Sequence, residues 1–345
     1  MPVLSTLSVR LQNHPKRVVF PEGNDIRIIK AARQFATRKL GVPILLGDKA
    51  EISALAAAND VRMDGIGVID PLKSDDYPEI LKAFDGIRRF KKLGDTDSAE
   101  ILANHNYYAT MMLLTSRADA MVSGATLASS SALRPMLQLI PMQQNVKSVS
   151  SIIILDTKNP EFGTEGCLFM SDCGVIPEPT QDQLCDIAYT TANLAKHITN
   201  KTPKVAFLSY SSKSATSRNP NVIKMKAAAS LLHERVVREN LDFEVDGELQ
   251  IDVALSKNYA QFKGVNSSVA GSANVLIFPD LNAGNLAVRM SILTNPQMSY
   301  YGQILTGLQK PAAEISRSAT VNDIYGTAVI VAAQAVDRKY LFPDE

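Results

Sequence analysis

The segment QKPAAEISRSATVNDIYG, residues 309–326, holds a hydroxyl, a guanidinium and a carboxylate close together: Ser316, Arg317 and Asp323. Chemically this is a hydrogen-bond donor, a bidentate clamp for an anion and a base. The same residues also suit an ordinary helix N-terminus, with Thr320 as the cap and Asp323 answering the helix dipole, and spacing alone favours that reading. Three further segments gather polar groups. GATLASSSALRPMLQLI, from Gly124, joins a small-residue loop and hydroxyls such as Ser131 to a helix with Arg134 and Pro135 near its start. Free backbone N–H groups and an arginine at a helix N-terminus make a competent anion site. SSKSATSRNP, after Tyr210, is dense in hydroxyls and carries Lys213 and Arg218, while PDLNAGN at Pro279–Asn285 supplies Asn282 and Asn285 around Gly284. Loops of Ser, Asn and Gly cap helices everywhere. Three of them in one chain nevertheless point to a small ligand bearing phosphate.

Other chemistries lack their parts. There is no GxGxxG, no Walker A sequence and no G-x-S-x-G elbow. Cys167, Cys173 and Cys185 show no metal-ligand spacing and cannot pair completely, and the four His are scattered, which argues against zinc sites and disulfide scaffolds. Cys173, beside Asp172, invites an acyl-cysteine route, but with no His nearby in sequence it reads better as a small buried hydrophobe. The 36 Lys+Arg balance 35 Asp+Glu, so no long-range field draws the chain to nucleic acid or anionic lipid. The N-terminal MPVLSTLSVRLQNHPKR has no signal-peptide core and no apolar run reaches a membrane span, so the expectation is a cytoplasmic protein.

Positioning these groups requires strands that end where they begin. Apolar runs rich in Val and Ile occur at Arg17–Gly23, Pro43–Asp48, Asp119–Gly124, Ser150–Asp156, Lys204–Tyr210, Phe243–Gln250 and Asn274–Asp280. Continuous rather than alternating runs suit parallel strands buried on both faces. Helices are expected over Ile26–Arg38, Gln181–Lys196, Val222–Asn240 and Asp323–Lys339. The alternation predicts an α/β fold of mostly parallel sheets with helices on both faces, and ligands in such folds bind beyond the carboxyl ends of strands. A length of 345 residues favours two domains. Asp70–Asp97, with Pro71, Pro78 and a basic knot at Arg88, Arg89, Lys91 and Lys92, is expected to be the least structured stretch.

RVVFPEGND, ADAMVSGAT with LRPMLQLI, SDCGVIPEPT with QLCDIA, FLSYSSKSA, DGELQID, NVLIFPDLNAGN and ISRSATVNDI follow one another in this order. On these stretches the chain resembles, along nearly its full length, phosphate acyltransferases of the phosphate acetyltransferase type. The resemblance implies a two-domain subunit related in fold to the isocitrate and isopropylmalate dehydrogenases. One domain would comprise residues 1–145 plus 300–345 and the other 146–299, with the active site in the cleft between them and a homodimer as the assembly. It implies reversible transfer of an acetyl group between CoA and inorganic phosphate by direct attack in a ternary complex. CoA is then a substrate, and neither a metal, a resident cofactor nor a covalent acyl-enzyme is involved.

Residue by residue, Ser316, Arg317 and Asp323 match the family's catalytic Ser-Arg and downstream Asp. Arg134 matches an arginine implicated in substrate binding and Arg88 another, with Arg89 as its rival; Ser131, Lys213, Asn282 and Asn285 are the other expected contacts to CoA or phosphate. Ser318 and Ala319 stand where the family commonly has Gly and Cys, and Gln303 where it has Pro. The alternatives are transfer of propionyl or butyryl groups, or a non-catalytic acyl-CoA-sensing module, against which the intact Ser316, Arg317 and Asp323 stand. A decarboxylating dehydrogenase would need a carboxylate cluster for a divalent metal, which exits rich in Ser and Asn do not supply.

Overall fold

The computed structural model describes residues 2–91, 96–214, 216–337 and 341, and the chain divides into two compact units, residues 4–141 with 308–345 and residues 1–3 with 142–307. Chain order begins α1 (Pro2–Asn13), β1 (Lys16–Phe20), α2 (Ile26–Thr37), β2 (Gly41–Leu46), α3 (Lys49–Ala57), β3 (Gly67–Ile69), α4 (Tyr77–Lys91), α5 (Ser98–Leu102), α6 (His105–Leu114), β4 (Ala120–Ser123) and α7 (Ser129–Leu139). The middle unit follows with β5 (Ser150–Asp156), β6 (Cys167–Ser171), α8 (Gln181–Thr199), β7 (Lys204–Leu208), α9 (Pro220–Arg238), β8 (Glu244–Leu249), α10 (Ile251–Leu255), α11 (Lys257–Phe262), β9 (Val275–Ile277), α12 (Leu281–Thr294) and β10 (Ser299–Thr306). The chain then returns to the first unit with β11 (Ala312–Glu314) and α13 (Val321–Gln334). Unit boundaries at 141/142 and 307/308 group residues 142–145 and β10 with the middle unit rather than with the flanking segments.

Strands of the first unit lie in the order β3-β2-β1-β4-β11, every neighbour parallel. Their helices explain themselves locally. Asp25 caps α2 by accepting from the Arg27 N–H, and Ile28, Ile29, Ala31, Ala32 and Phe35 form its buried face. α13 is buried continuously from Asp323 to Gln334 and packs on α2, β1 and β4, which is why its sequence is apolar around the whole circumference.

The middle unit is ordered β10-β5-β6-β9-β7-β8. Here β5 runs antiparallel to both β10 and β6, while β6, β9, β7 and β8 are mutually parallel. All seven residues of β5 are buried, so its unbroken apolar run reports two-sided burial and not strand direction. Ile153, Leu155, Leu168, Met170, Leu276 and Phe278 anchor the core on one face. The α/β architecture with a mostly parallel sheet flanked by helices is as expected.

Two sequence expectations are corrected. Asp70–Asp97 is no connection, because α4 occupies Tyr77–Lys91; Pro78 sits in its first turn, where a missing N–H costs nothing. The basic Lys92 lies outside the described residues. PDLNAGN is not a loop: Asp280 caps α12 by accepting from the Ala283 N–H, so Asn282 and Asn285 are helical. The remaining expected helices agree with α2, α8, α9 and α13, although the expected end at Lys339 lies outside the described residues.

Candidate active site

The carboxyl ends of β1, β4 and β11 are neighbours, and the chain leaves them through Glu22, Gly124 and Ser316. Gly124 is required there: its φ is +117°, and a Cβ would lie 2.4 Å from the Ile315 carbonyl oxygen. The Ile315 N–H in turn donates to the Ser123 carbonyl at 2.7 Å, which ties the exits of β4 and β11 together. Glu22, 6% exposed, reaches across from β1 and accepts from the Gly124 N–H at 2.7 Å and from the Ser123 hydroxyl at 3.2 Å. Its other oxygen, Oε2, is buried and has no hydrogen-bond partner among the described residues.

Burial raises the Glu22 pKa, against the hydrogen bonds from Gly124 and Ser123, which lower it. A raised carboxyl contributes stability that is full below its ordinary range and lost as pH rises through its native value. Glu22→Gln is therefore expected to flatten that decline, read as the urea midpoint of wild type minus variant between about pH 4 and about pH 8. Parallel midpoint curves would mean that Glu22 titrates as it does in the unfolded chain.

Arg27 secures the segment after β11. Its guanidinium donates to the carbonyl oxygens of Arg317 at 2.6 Å, Ala319 at 3.1 Å and Ala125 at 2.8 Å, and is itself paired with Asp25 at 2.7 Å. Hydrogen bonds to a charged group contribute about 1.5–3 kcal/mol each where shielded from water. With the carbonyl of Arg317 held, its exposed side chain is presented from a fixed backbone. The Ser316 hydroxyl meets the Ser318 hydroxyl at 2.9 Å and the Ser318 N–H at 3.3 Å, so the serine that departs from the family pattern orients the first one.

Asp323, 5% exposed, does cap its helix. Its Oδ2 accepts from the Thr320 N–H at 2.9 Å and the Thr320 hydroxyl at 2.6 Å, and the Asp323 N–H donates back to that hydroxyl at 3.2 Å. This capping box uses Oδ2 only; Oδ1 has no hydrogen-bonding partner among the described residues. The capping and catalytic readings of Asp323 thus use different oxygens of one carboxylate.

Helix α7 begins without a side-chain cap at Ala128, leaving the N–H groups of Ser129 and Ser130 to an incoming anion. The Ser129 hydroxyl donates to buried Glu314 of β11 at 2.8 Å and so fixes α7 against the exit that leads to Ser316. Ser131 and Arg134 are exposed on this helix, and Arg134 is near enough to Tyr107 to oppose the burial that raises the phenol pKa. Arg88, on α4, donates to the Thr96 carbonyl, and Lys91 on the same helix donates to the Gln138 carbonyl at 2.6 Å at the end of α7; Arg89 is exposed. The first unit thus holds Ser316, Arg317, Asp323, Ser131, Arg134 and Arg88.

Lys213, Asn282 and Asn285 belong to the middle unit. Lys213 forms an ion pair with Asp246. Asn282 is exposed on α12, while Asn285 donates to the Cys173 carbonyl at 3.3 Å and accepts from Arg289 at 2.9 Å. Gly284 lets α12 approach the SDCG segment, since a Cβ there would stand 2.3 Å from the Asp172 carbonyl oxygen. Asp172, buried, accepts from the N–H groups of Gly174, Val175 and Ile176 at 3.0, 3.2 and 2.8 Å and from the Ser151 hydroxyl at 2.6 Å. Glu248, also buried, accepts from the Ser214 N–H at 2.7 Å and holds the hydroxyl-rich loop. Sequence reasoning passed over Arg27, Glu22, Asp172 and Glu248. The visible signal for Glu22 and Asp172 was a charged residue one or two positions beyond the end of a strand, whereas Glu248 lies within β8.

Cys173 is 1% exposed, and burial pushes its thiol well above the ordinary range. A thiol of that kind supplies no thiolate, so Cys173→Ala is expected to keep kcat within about threefold, measured alongside a search for an acyl-enzyme by mass spectrometry. An isolable acyl adduct on Cys173 would overturn direct transfer. Among the described residues no group of three or more His, Cys, Asp and Glu is placed to hold a metal ion.

The family model described as Phosphate acetyl/butaryl transferase matches residues 3–332. A phosphate acetyltransferase of Acetivibrio thermocellus is 34% identical over 335 residues, which span 97% of this chain and 98% of that protein. Among solved structures, a phosphotransacetylase from Streptococcus pyogenes is similar at a TM-score of 0.85 and 32% identity, with 97% of this chain and 98% of that one covered. A putative 4-hydroxythreonine-4-phosphate dehydrogenase from Salmonella typhimurium, 13% identical with a TM-score of 0.52 over 94% of this chain and 99% of that one, shares the fold alone.

Proposed function

The chain belongs to the phosphate acetyl/butaryl transferase family, and we propose that it interconverts acetyl-CoA plus phosphate with acetyl phosphate plus CoA by direct attack in a ternary complex. It is an acyltransferase. The observation that carries the reading is the segment after β11, where Arg27 anchors the backbone of Arg317 and the capping box leaves Oδ1 of Asp323 for a substrate proton.

In the acetyl-phosphate-forming direction a phosphate oxygen attacks the thioester carbonyl, the C–S bond breaks and the thiolate takes up a proton. In reverse, the CoA sulfur attacks the acetyl carbonyl of acetyl phosphate, the C–O bond to phosphate breaks, and Asp323 accepts the thiol proton. Between a free thiol and a free carboxylic acid in water, with reference pKa values near ~8.5 and ~3.9, a transfer of this kind is uphill by about 6 kcal/mol at ~1.36 per unit. Cations beside the sulfur reduce it by favouring the thiolate, and Arg317 stands in the right segment to do so. Arg317 also clamps the phosphoryl oxygens, and Ser316, oriented by Ser318, donates to the oxyanion. Arg134, Ser131 and the open start of α7 hold phosphate, with Arg88 as a further cation. Lys213, Asn282 and Asn285 are further proposed contacts to CoA. The scheme requires no metal or resident cofactor, since arginines supply the positive charge.

We assign the protein to the cytoplasm, as its composition suggests, and to a homodimer, as the family resemblance implies. No helix among the described residues is long and apolar enough to cross a membrane. Initial rates with CoA and acetyl phosphate both varied test the reading, followed by the same series with propionyl and butyryl phosphate. Intersecting reciprocal plots and the highest kcat/KM for acetyl phosphate are expected. Parallel plots would replace direct transfer by an acyl-enzyme, and preference for butyryl phosphate would replace the acetyl assignment.

A further inference from the structure

Helix α2 carries more than Arg27. One turn on, it lines a pocket of about 450 Å³ bounded by Lys30, Arg33 and Gln34, by Asp60 and Arg62 of the turn between α3 and β3, and by Val321 at the start of α13. This volume lies within the range of small-molecule sites. Three cations and a single carboxylate, that of Asp60, line it. Arg33 donates to the Asp64 carbonyl at 2.7 Å, whereas neither Lys30 nor Arg62 has an ion-pair or hydrogen-bond partner among the described residues. Lys30 is moreover only half-exposed. Val321 is the first residue of α13, so the positive end of that helix lies at the rim.

Like charges gathered around a concavity repel one another and focus a positive potential into it. Stability alone gives no reason for that arrangement, whereas an anion with several oxygens relieves it. Guanidinium groups match phosphate in a bidentate fork, and an ammonium adds a point charge. The three cations outnumber the one carboxylate by two charges, which a ligand carrying two phosphates answers better than one carrying a single phosphate. Gln34 then offers an amide donor and acceptor to the remainder of such a ligand.

We propose that the pocket between α2, the α3–β3 turn and α13 binds a small molecule carrying at least two phosphates. Two sources share that chemistry, the nucleotide end of CoA and a separate phosphorylated metabolite. Val321 follows Ser316 by five residues, which bounds their separation at about 18 Å of extended chain. The pocket is thus within one molecule's reach of Ser316, and α2 links the two places because Arg27 grips the carbonyls of Arg317 and Ala319. The pocket's ligand chemistry stands without the acyl-transfer reading; only assignment of the ligand to CoA rests on it.

Calorimetric titration of the purified full chain with inorganic pyrophosphate tests the site, with and without saturating CoA, in wild type and in the Lys30→Ala/Arg62→Ala variant. The expected result is binding to wild type that weakens at least tenfold in the variant while the melting temperature stays unchanged. Arg62→Glu provides a second reading should the double variant fold poorly, and it is expected to weaken binding further. Competition by CoA, with a raised KM for CoA in the variant, assigns the pocket to the substrate's nucleotide end. Binding that persists beside CoA, with an unchanged KM, assigns it to a separate metabolite. No pyrophosphate binding to wild type, or equal affinity in wild type and variants, would overturn the proposal. The pyrophosphate titrations and the competition by CoA require no turnover, so the site itself is tested apart from a failure of the acyltransferase assignment; only the KM comparison depends on it.

Discussion

Asp323→Asn is expected to lower kcat by about 10²–10⁴-fold, the range that a positioned general base contributes. The variant keeps the side chain's volume and an oxygen that accepts from Thr320, so the capping box is largely retained. Loss of a helix cap costs about 0.5–2 kcal/mol at most, which bounds the change in stability. The two roles of this carboxylate therefore separate cleanly: a cap alone predicts kcat intact in the Asn variant with at most a small change in melting temperature, and a base predicts the loss of kcat at a nearly unchanged melting temperature. Thr320→Ala makes the complementary change, because it removes the cap and leaves the carboxylate in place. Its effect should fall mainly on the melting temperature.

Arg317→Ala is expected to reduce kcat/KM for acetyl phosphate by about 10²–10³-fold, as for loss of one oriented donor to developing charge. Its carbonyl is held by Arg27 at 2.6 Å, so the substitution removes the guanidinium without releasing the segment. Arg317→Lys keeps the charge but loses the fork, and should recover only a fraction of the activity. Rates of acetyl-CoA formation at varied acetyl phosphate measure both variants. Activity of Arg317→Ala within threefold of wild type would remove Arg317 from the phosphoryl clamp.

The sequence made the strand exits legible because each follows a run of buried Val, Ile and Leu, and burial on both faces is the strongest signal that a sheet writes into a chain. β5 shows the limit of that signal. SSIIILD looks like a parallel strand, yet it runs antiparallel to both neighbours, since apolar continuity measures burial and carries nothing about direction. β11 was illegible for another reason: Ala312–Glu314 is too short to show a period, and it is fixed as a strand by pairing with β4. α4 was misread because Pro78 and neighbouring acids look like a loop, although the same residues favour a helix's first turn.

At the site, the residues able to meet substrate were legible through their types: a hydroxyl, a guanidinium and a carboxylate close to one helix start. The residues that hold them were not. Arg27 reaches Arg317 across 290 positions, and Glu22 reaches Gly124 across 102, so nothing local marks either contact. Glu248 works in the same way, accepting from the Ser214 N–H 34 positions away, whereas buried Asp172 accepts from the N–H groups two to four residues after it. Asp323 was ambiguous because one carboxylate performs a local task through Oδ2 and leaves Oδ1 for another. Sequence spacing cannot assign two oxygens separately, and the capping geometry does.

The most direct test of the account follows acetyl phosphate consumption and acetyl-CoA formation together, with and without CoA, in wild type and in Asp323→Asn. The account predicts CoA-dependent consumption with one acetyl-CoA formed per acetyl phosphate lost, and near-complete loss of both in a variant that melts like the wild type. Measurable CoA binding without turnover of acetyl phosphate by the wild type would contradict it, and the same scaffold would then serve as a sensor of acyl-CoA.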